Sequence, residues 1–131
     1  MRGVISLAKY FLDTYALMEY IGGNRSYLKY FSSNSQLNTS ILNLMELYYH
    51  IIRDAGENAA EDSYTQFKQF TLPLTDDDVK NAMKVRLRLK SRRLDISYTD
   101  AIGYSLAERL GARFLTGDQA FKNLPNVEFV R

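Results

Sequence analysis

Short apolar runs alternate with longer stretches of helical period along this chain, and no two-residue hairpin turn joins neighbouring runs. That alternation restricts the fold. Antiparallel neighbours can be joined by tight turns, whereas parallel strands need crossovers long enough to hold a helix. The expected strands are Tyr10–Leu12, Gln36–Ser40, Phe70–Leu74, Arg113–Leu115 and Val127–Val130. The expected helices are Tyr15–Ile21, Ser26–Phe31, Ile41 to about Asp54, Ala59–Phe67, Thr75 (as N-cap) to about Lys90, and Ser97–Leu110; Asp118–Leu124 is a helical turn. Breakers punctuate them: Gly22-Gly23-Asn24, the polar loop Ser32–Ser35, Gly56, and Gly111 as a C′ residue. In the third helix, apolar positions 41, 44, 45, 48, 51 and 52 recur at helical period. The pattern predicts a parallel α/β sheet covered by helices on both faces.

A length of 131 residues fits one domain spanning 1–131, with no internal repeat, low-complexity tract or linker. Hydrophobic content of 46% with 24% charged residues is that of a soluble globular chain. The absence of cysteine excludes a disulfide framework, a zinc ribbon and a thiol nucleophile. The opening Met-Arg-Gly-Val-Ile-Ser-Leu-Ala-Lys begins like a signal peptide, but Lys9 and Asp13 interrupt it, and no run of about 18 apolar residues exists. A cytoplasmic protein with no membrane segment is expected.

Four acidic residues stand at the ends of apolar runs: Asp13, Glu46, Asp100 and Asp118. Carboxylates are rarely buried unless paired or bound to metal. Ligands and catalytic groups in parallel sheets gather at the carboxyl ends of the strands. Asp13 follows the first strand and Asp118 the fourth; Glu46 lies one to two turns into the helix after strand two, and Asp100 in the first turn of the helix before strand four. All four can reach one cleft, where they would repel one another without a cation. Each also has a simpler role: Asp13, Asp100 and Asp118 suit helix N-termini, and Glu46 suits a salt bridge. Asp95 reads as a loop residue, Asp76–Asp78 as a solvated helix start, and His50 as a partner-bonded surface histidine.

The segments Phe-Leu-Asp13-Thr14, Leu-Asn-Leu-Met-Glu46-Leu, Thr-Asp100-Ala-Ile-Gly-Tyr-Ser-Leu-Ala and Phe-Leu-Thr116-Gly-Asp118-Gln-Ala-Phe121 resemble those of the PIN-domain nucleases, most closely the VapC-like toxins of prokaryotic toxin–antitoxin pairs. The likeness runs from about Tyr10 to the C-terminus. It implies a three-layer α/β/α fold around a five-stranded parallel sheet in the order 3-2-1-4-5. It further implies Mg²⁺ or Mn²⁺ held by Asp13, Glu46, Asp100 and Asp118, with those four and Thr116 as catalytic residues, and cleavage of RNA. Thr14 and Thr116 can orient a carboxylate or the attacking water. A small antitoxin covering the groove and a homodimer are implied too. Many relatives carry a further acid just after the last motif, where this chain has Gln119 and Ala120, so one metal ion or two is left open.

Net charge is +2, and setting the four acids aside leaves 17 basic against 15 − 4 = 11 acidic residues, a surplus of 17 − 11 = 6. Lys84, Arg86, Arg88, Lys90, Arg92 and Arg93 hold six positive charges within ten residues. Extended, the segment Lys84–Lys90 would align its charges on one side; helical, it would spread them. Arg86, Arg88, Arg92 and Arg93 are the candidate RNA contacts, against the plain alternative of cations at a helix C-terminus. Tyr15, Tyr20, Tyr27, Tyr30 and Phe31 cluster on the first two helices and serve as core or, where exposed, as an apolar groove for a partner helix. Two rival functions remain: a PIN-like RNA- or protein-binding module without useful catalysis, and a phosphotransferase using Asp13 as nucleophile. The second wants another Asp where Tyr15 stands.

Overall fold

The computed structural model describes residues 7–32 and 34–131, so residues 1–6 of the signal-like start and Ser33 of the polar loop lie outside the described residues. Among the described residues, four parallel strands, β1 (Ala8–Leu12), β2 (Ser35–Asn38), β3 (Arg113–Thr116) and β4 (Val127–Phe129), lie in the order β2-β1-β3-β4. The α-helices among the described residues are α1 (Thr14–Ile21), α2 (Arg25–Leu28), α3 (Ile41–Ala55), α4 (Glu57–Lys68), α5 (Asp76–Ser91) and α6 (Tyr98–Leu110).

The expected fifth strand, Phe70–Leu74, is a single parallel bridge between Thr39 and Thr71 beside β2. Thr39 donates to the Phe70 carbonyl at 2.9 Å and accepts from Leu72 N–H at 3.3 Å. Pro73 then has no N–H to continue the ladder. The spatial order is the expected one, with its outer strand cut to one pair. The expected helix Ser26–Phe31 is also divided, into α2 and a 3-10 turn, Lys29–Phe31.

Alternation along the strands builds a core on each face. Phe11 and Phe114 are paired in register, their rings 6.0 Å apart and stacked, and pack with Ile102, Tyr104 and Leu106 of α6 and Val85 and Leu89 of α5. Their neighbours Leu12 and Leu115 point the other way, into Ala16 and Leu17 of α1, Leu44 and Leu47 of α3, and Phe67 of α4. At their carboxyl halves both faces of the central strands are therefore dry, which explains the apolar pairs Phe11-Leu12 and Phe114-Leu115, while Lys9 and Arg113 at the other end are exposed. Gly103 lets α6 lie close against this sheet: a Cβ there would come within 2.6 Å of the Phe11 ring.

The aromatic cluster belongs to the core. Tyr27 and Tyr30 are buried, with hydroxyls donating to the Val130 carbonyl at 2.5 Å and Glu128 Oε2 at 2.8 Å. Tyr20 stacks on Phe31 at 3.7 Å. The exposed apolar stripe lies instead on α3, at Ile41, Met45, Tyr49 and Ile52. Asp78 departs from a solvated helix start. It closes a capping box with Thr75, is buried, and pairs with Arg109 at 2.6 and 3.0 Å. Burial pushes this carboxyl up, but the bonds from Thr75 and Arg109 together hold it below its ordinary value.

Candidate functional site

Because the strands are parallel, Leu12 and Thr116 deliver the chain to the same sheet edge. Asp13 leaves β1 in an extended conformation and caps α1, its Oδ1 accepting from Ala16 N–H at 2.8 Å. Asp118 caps the 3-10 turn Gln119–Phe121, its Oδ1 accepting from Ala120 N–H at 3.0 Å. Asp100 is the third residue of α6 and closes a capping box: Ser97 N–H donates to its Oδ2 at 3.3 Å, and its own N–H donates to Ser97 Oγ at 3.0 Å. Glu46, in the second turn of α3, is no cap; its Oε1 accepts from the Thr14 hydroxyl at 2.5 Å. The simpler role expected of the three aspartates is thus real, and all four acids nevertheless line one cleft of about 470 Å³.

The threonines bind the motifs to one another. Thr116 Oγ1 accepts from Asp118 N–H at 3.0 Å and donates its proton to Asp13 Oδ2. Gly117 is the residue this turn needs, because a Cβ would collide with the Tyr15 ring and the Val130 carbonyl. Hence the Leu-Thr-Gly-Asp sequence has a steric cause as well as a chemical one.

Electrostatically the cleft is under-compensated. Asp13 is 3% exposed, and burial raises its carboxyl to about 8 against the opposing bonds from Thr116 and Ala16; Asp100 and Asp118 push the same way. Burial likewise raises Asp100 to about 6, with the Ser97 bonds opposing and Asp118 and Glu46 reinforcing it. No described cation pairs with any of the four. Among the described residues, no three Asp, Glu or His side chains close tightly enough around one point to hold a metal as they stand. Asp100 and Asp118 are held by their own caps, Asp13 by Ala16 and Thr116, and Glu46 by Thr14, and mutual repulsion opposes closer approach. One oxygen each of Glu46 (Oε2), Asp100 (Oδ1) and Asp118 (Oδ2) accepts no hydrogen bond from the described residues. An all-carboxylate donor set of this kind fits a hard divalent cation, with oxygens to spare for it.

Two further polar residues line the cleft. His50, expected at the surface, stands one turn after Glu46 on α3, and Glu19 one turn after Tyr15 on α1. The i, i+4 spacing of Glu46 and His50 was the available signal. The basic segment divides. Lys84–Ser91 is helical, so its charges spread around α5. Lys84 and Arg88 face a separate groove with Ser105 and Glu108 of α6. Arg86 turns the other way: its Nε donates to the Ile96 carbonyl at 3.1 Å and its guanidinium lies 4.3 Å from the Tyr98 ring centroid, beside Ser97 of the acidic cleft. Arg92 caps α5, and Arg93 adopts a left-handed φ of 64°.

The fold is shared with solved structures of VapBC and VapC proteins. The DNA-bound VapBC of Salmonella typhimurium superposes with a TM-score of 0.75 at 17% identity, covering 95% of this chain and 98% of that one. VapBC2 of Rickettsia felis, bound to a promoter DNA fragment, gives 0.72 at 21% identity over 93% and 97%. Mycobacterium tuberculosis VapC20, described as a toxin that cleaves the sarcin–ricin loop, gives 0.72 at 20% identity over 93% and 98%. No curated protein sequence matches the chain significantly. The sequence profile of the PIN domain matches residues 10–127, nearly the whole length, and this chain belongs to the PIN-domain family.

Proposed function

We propose that this chain is a divalent-metal-dependent endoribonuclease and the toxin of a toxin–antitoxin pair. The observation that carries the reading is the meeting of Asp13, Glu46, Asp100 and Asp118 in one cleft, with Asp13 buried and raised to about 8. A protein keeps uncompensated buried acids only at a cost to stability, and such costs gather at functional sites. The fold likeness to VapC20, a toxin that cleaves the sarcin–ricin loop, supports the substrate class.

The four acids would hold Mg²⁺ or Mn²⁺; when bound, the ion supplies Lewis acidity toward water and a phosphate oxygen. This chain's residues do the rest. Thr116 fixes one oxygen of Asp13, Thr14 fixes one of Glu46, and Ser97 and Ala120 fix one each on Asp100 and Asp118. Glu46, Asp100 and Asp118 thereby each keep one oxygen open to the cleft, while Ala16 and Thr116 fix both oxygens of Asp13. Arg86, stacked on Tyr98 beside Ser97, would meet backbone phosphate. A small antitoxin and a second copy of the chain complete the proposed assembly; the α3 stripe at Ile41 and Met45, with Tyr48 and Tyr64, forms an apolar groove of about 450 Å³ suited to a helix.

The test is cleavage of single-stranded RNA by the purified chain with Mg²⁺ or Mn²⁺. Chelator should stop it, and Asp100→Asn or Glu46→Gln should cut the rate by at least about 100-fold, the scale on which losing one electrostatic stabiliser acts. Variants that cut as fast as the parent would assign the activity to a contaminant. RNA binding without cleavage in either metal would favour the binding-module reading.

A further inference from the structure

Glu46 differs from the other three acids in having no backbone donor: what holds it is a chain of side chains that runs from buried Ser40 and Asn43 to half-buried Thr14. Ser40, the fully buried N-cap of α3, starts it. Ser40 Oγ accepts the backbone N–H of Asn43 at 3.2 Å and donates its own proton to Asn43 Oδ1 at 2.6 Å. The side-chain amide of Asn43, 1% exposed, then donates from Nδ2 to Thr14 Oγ1 at 3.1 Å, and Thr14 donates to Glu46 Oε1 at 2.5 Å.

The orientation of the Asn43 amide gives the buried Ser40 proton its acceptor. Ser40 Oγ accepts from the backbone and donates to Oδ1 of Asn43; a reversed amide would turn a donor toward Ser40 and take that acceptor away. The amide nitrogen is thereby turned toward Thr14, and an amide nitrogen accepts nothing. Thr14, receiving from Asn43, has one proton left, and that proton is committed to Glu46. The reversed amide would present Oδ1 to Thr14 and draw its proton away from the acid. We propose that Asn43 is a positioning residue: acting through Thr14, it clamps Oε1 of Glu46 and leaves Oε2 to ligate the divalent cation. The inference rests on the metal site proposed above. It also links the start of α1, next to Asp13, to the second turn of α3, so two of the four acids are set relative to each other by one asparagine.

A thermodynamic cycle on Mn²⁺ affinity of the full chain, measured by calorimetry, tests it. Asn43→Leu and Thr14→Val should each weaken Mn²⁺ binding by roughly 10- to 100-fold, the scale of losses from outer partners of metal ligands. The double variant should be no weaker than the worse single, because among the described residues the hydrogen bonds from Asn43 reach Glu46 through Thr14 alone. Thr14→Ser, which keeps the hydroxyl, should restore parental affinity. Melting temperatures in chelator separate this from misfolding, since a purely structural asparagine would lower them without that dependence on Thr14. Should Asn43→Leu fail to fold, Ser40→Ala replaces it: freeing the amide to reverse should weaken Mn²⁺ binding in the parent and not in the Thr14→Val background. Losses that multiply in the double variant, or unchanged affinity in folded Asn43→Leu, overturn the positioning role and leave the metal site standing. A parent that binds no Mn²⁺ overturns the metal site and this role with it.

Discussion

Replacing Asp13 by Asn should stabilise the metal-free protein at neutral pH. Asp13 is raised from 3.8 to about 8, chiefly by burial. Between those values the native state holds a proton that the unfolded chain has released, so stability falls as pH rises through that window and is greatest below about 4. Each pH unit is worth roughly 1.4 kcal/mol, so from the ordinary value to pH 7 the group costs about 4 kcal/mol. Asn keeps the cap on Ala16 and carries no charge, but leaves the Thr116 hydroxyl without its acceptor, a loss of about 1 kcal/mol. The net gain is about 3 kcal/mol, or on the order of 10 °C in Tm for a chain of this length. Thermal unfolding in chelator between pH 5 and pH 7.5 reads it directly. The parent should lose stability across this range, more steeply below pH 6 because Asp100, raised to about 6, titrates there too; Asp13→Asn should show a shallower slope throughout. Paired Asp78, held low, loses its contribution only at more acid pH and stays out of this window. A parent whose stability is flat or rises from pH 5 to pH 7.5, parallel to the variant, would refute the burial cost assigned to Asp13.

The same protonation predicts that Mn²⁺ binding at pH 7 releases close to one proton, because ligating carboxylates must ionise. Calorimetry in buffers of different ionisation enthalpy measures it, and binding with no buffer dependence would contradict it. On RNA, Arg86→Ala should shallow the salt dependence of binding by about 0.7 in slope, one lost single-strand phosphate contact, whereas Arg88→Ala in the α5–α6 groove should leave it unchanged. Equal effects from both arginines would show that RNA follows the whole of α5.

The order of helices and strands is legible in the sequence because Gly22, Gly56 and Gly111, with the caps Ser40, Thr75 and Ser97, mark boundaries by local chemistry. Local chemistry also hides what packing decides. Phe70–Leu74 has strand composition, yet Pro73 stops it after one bridge. The tyrosines of α2 and its 3-10 extension give no sign that Val130 and Glu128, about a hundred residues away, receive their hydroxyls. Asp78 resembles its exposed neighbours Asp76 and Asp77 until Arg109 of α6 arrives to pair with it. Asn43 carries the faintest signal, an amide between Leu42 and Leu44 three residues before Glu46. Its partner Thr14 is 29 residues away in sequence, and only folding joins them.

Capping and clustering compete as explanations of the aspartates in the sequence, and the structure shows a common cause for both. In a parallel sheet, every strand that passes directly into a helix or turn does so at the carboxyl edge, and the first helical residues there have unpaired N–H groups. An aspartate suits each such junction, so Asp13 and Asp118 are drawn to one edge by the topology alone, and Asp100 arrives there at the first turn of α6. Capping, however, does not require burial: Asn24 caps α2 in a half-exposed position. Nor does it require a second acid, which raises the carboxyl and weakens the fold at neutral pH. Glu46 caps nothing and accepts instead from Thr14, which in turn accepts from the buried amide of Asn43. The surplus over what capping needs is the burial of Asp13, the mutual repulsion and this relay, and it is that surplus which a bound cation would turn from a cost into a site.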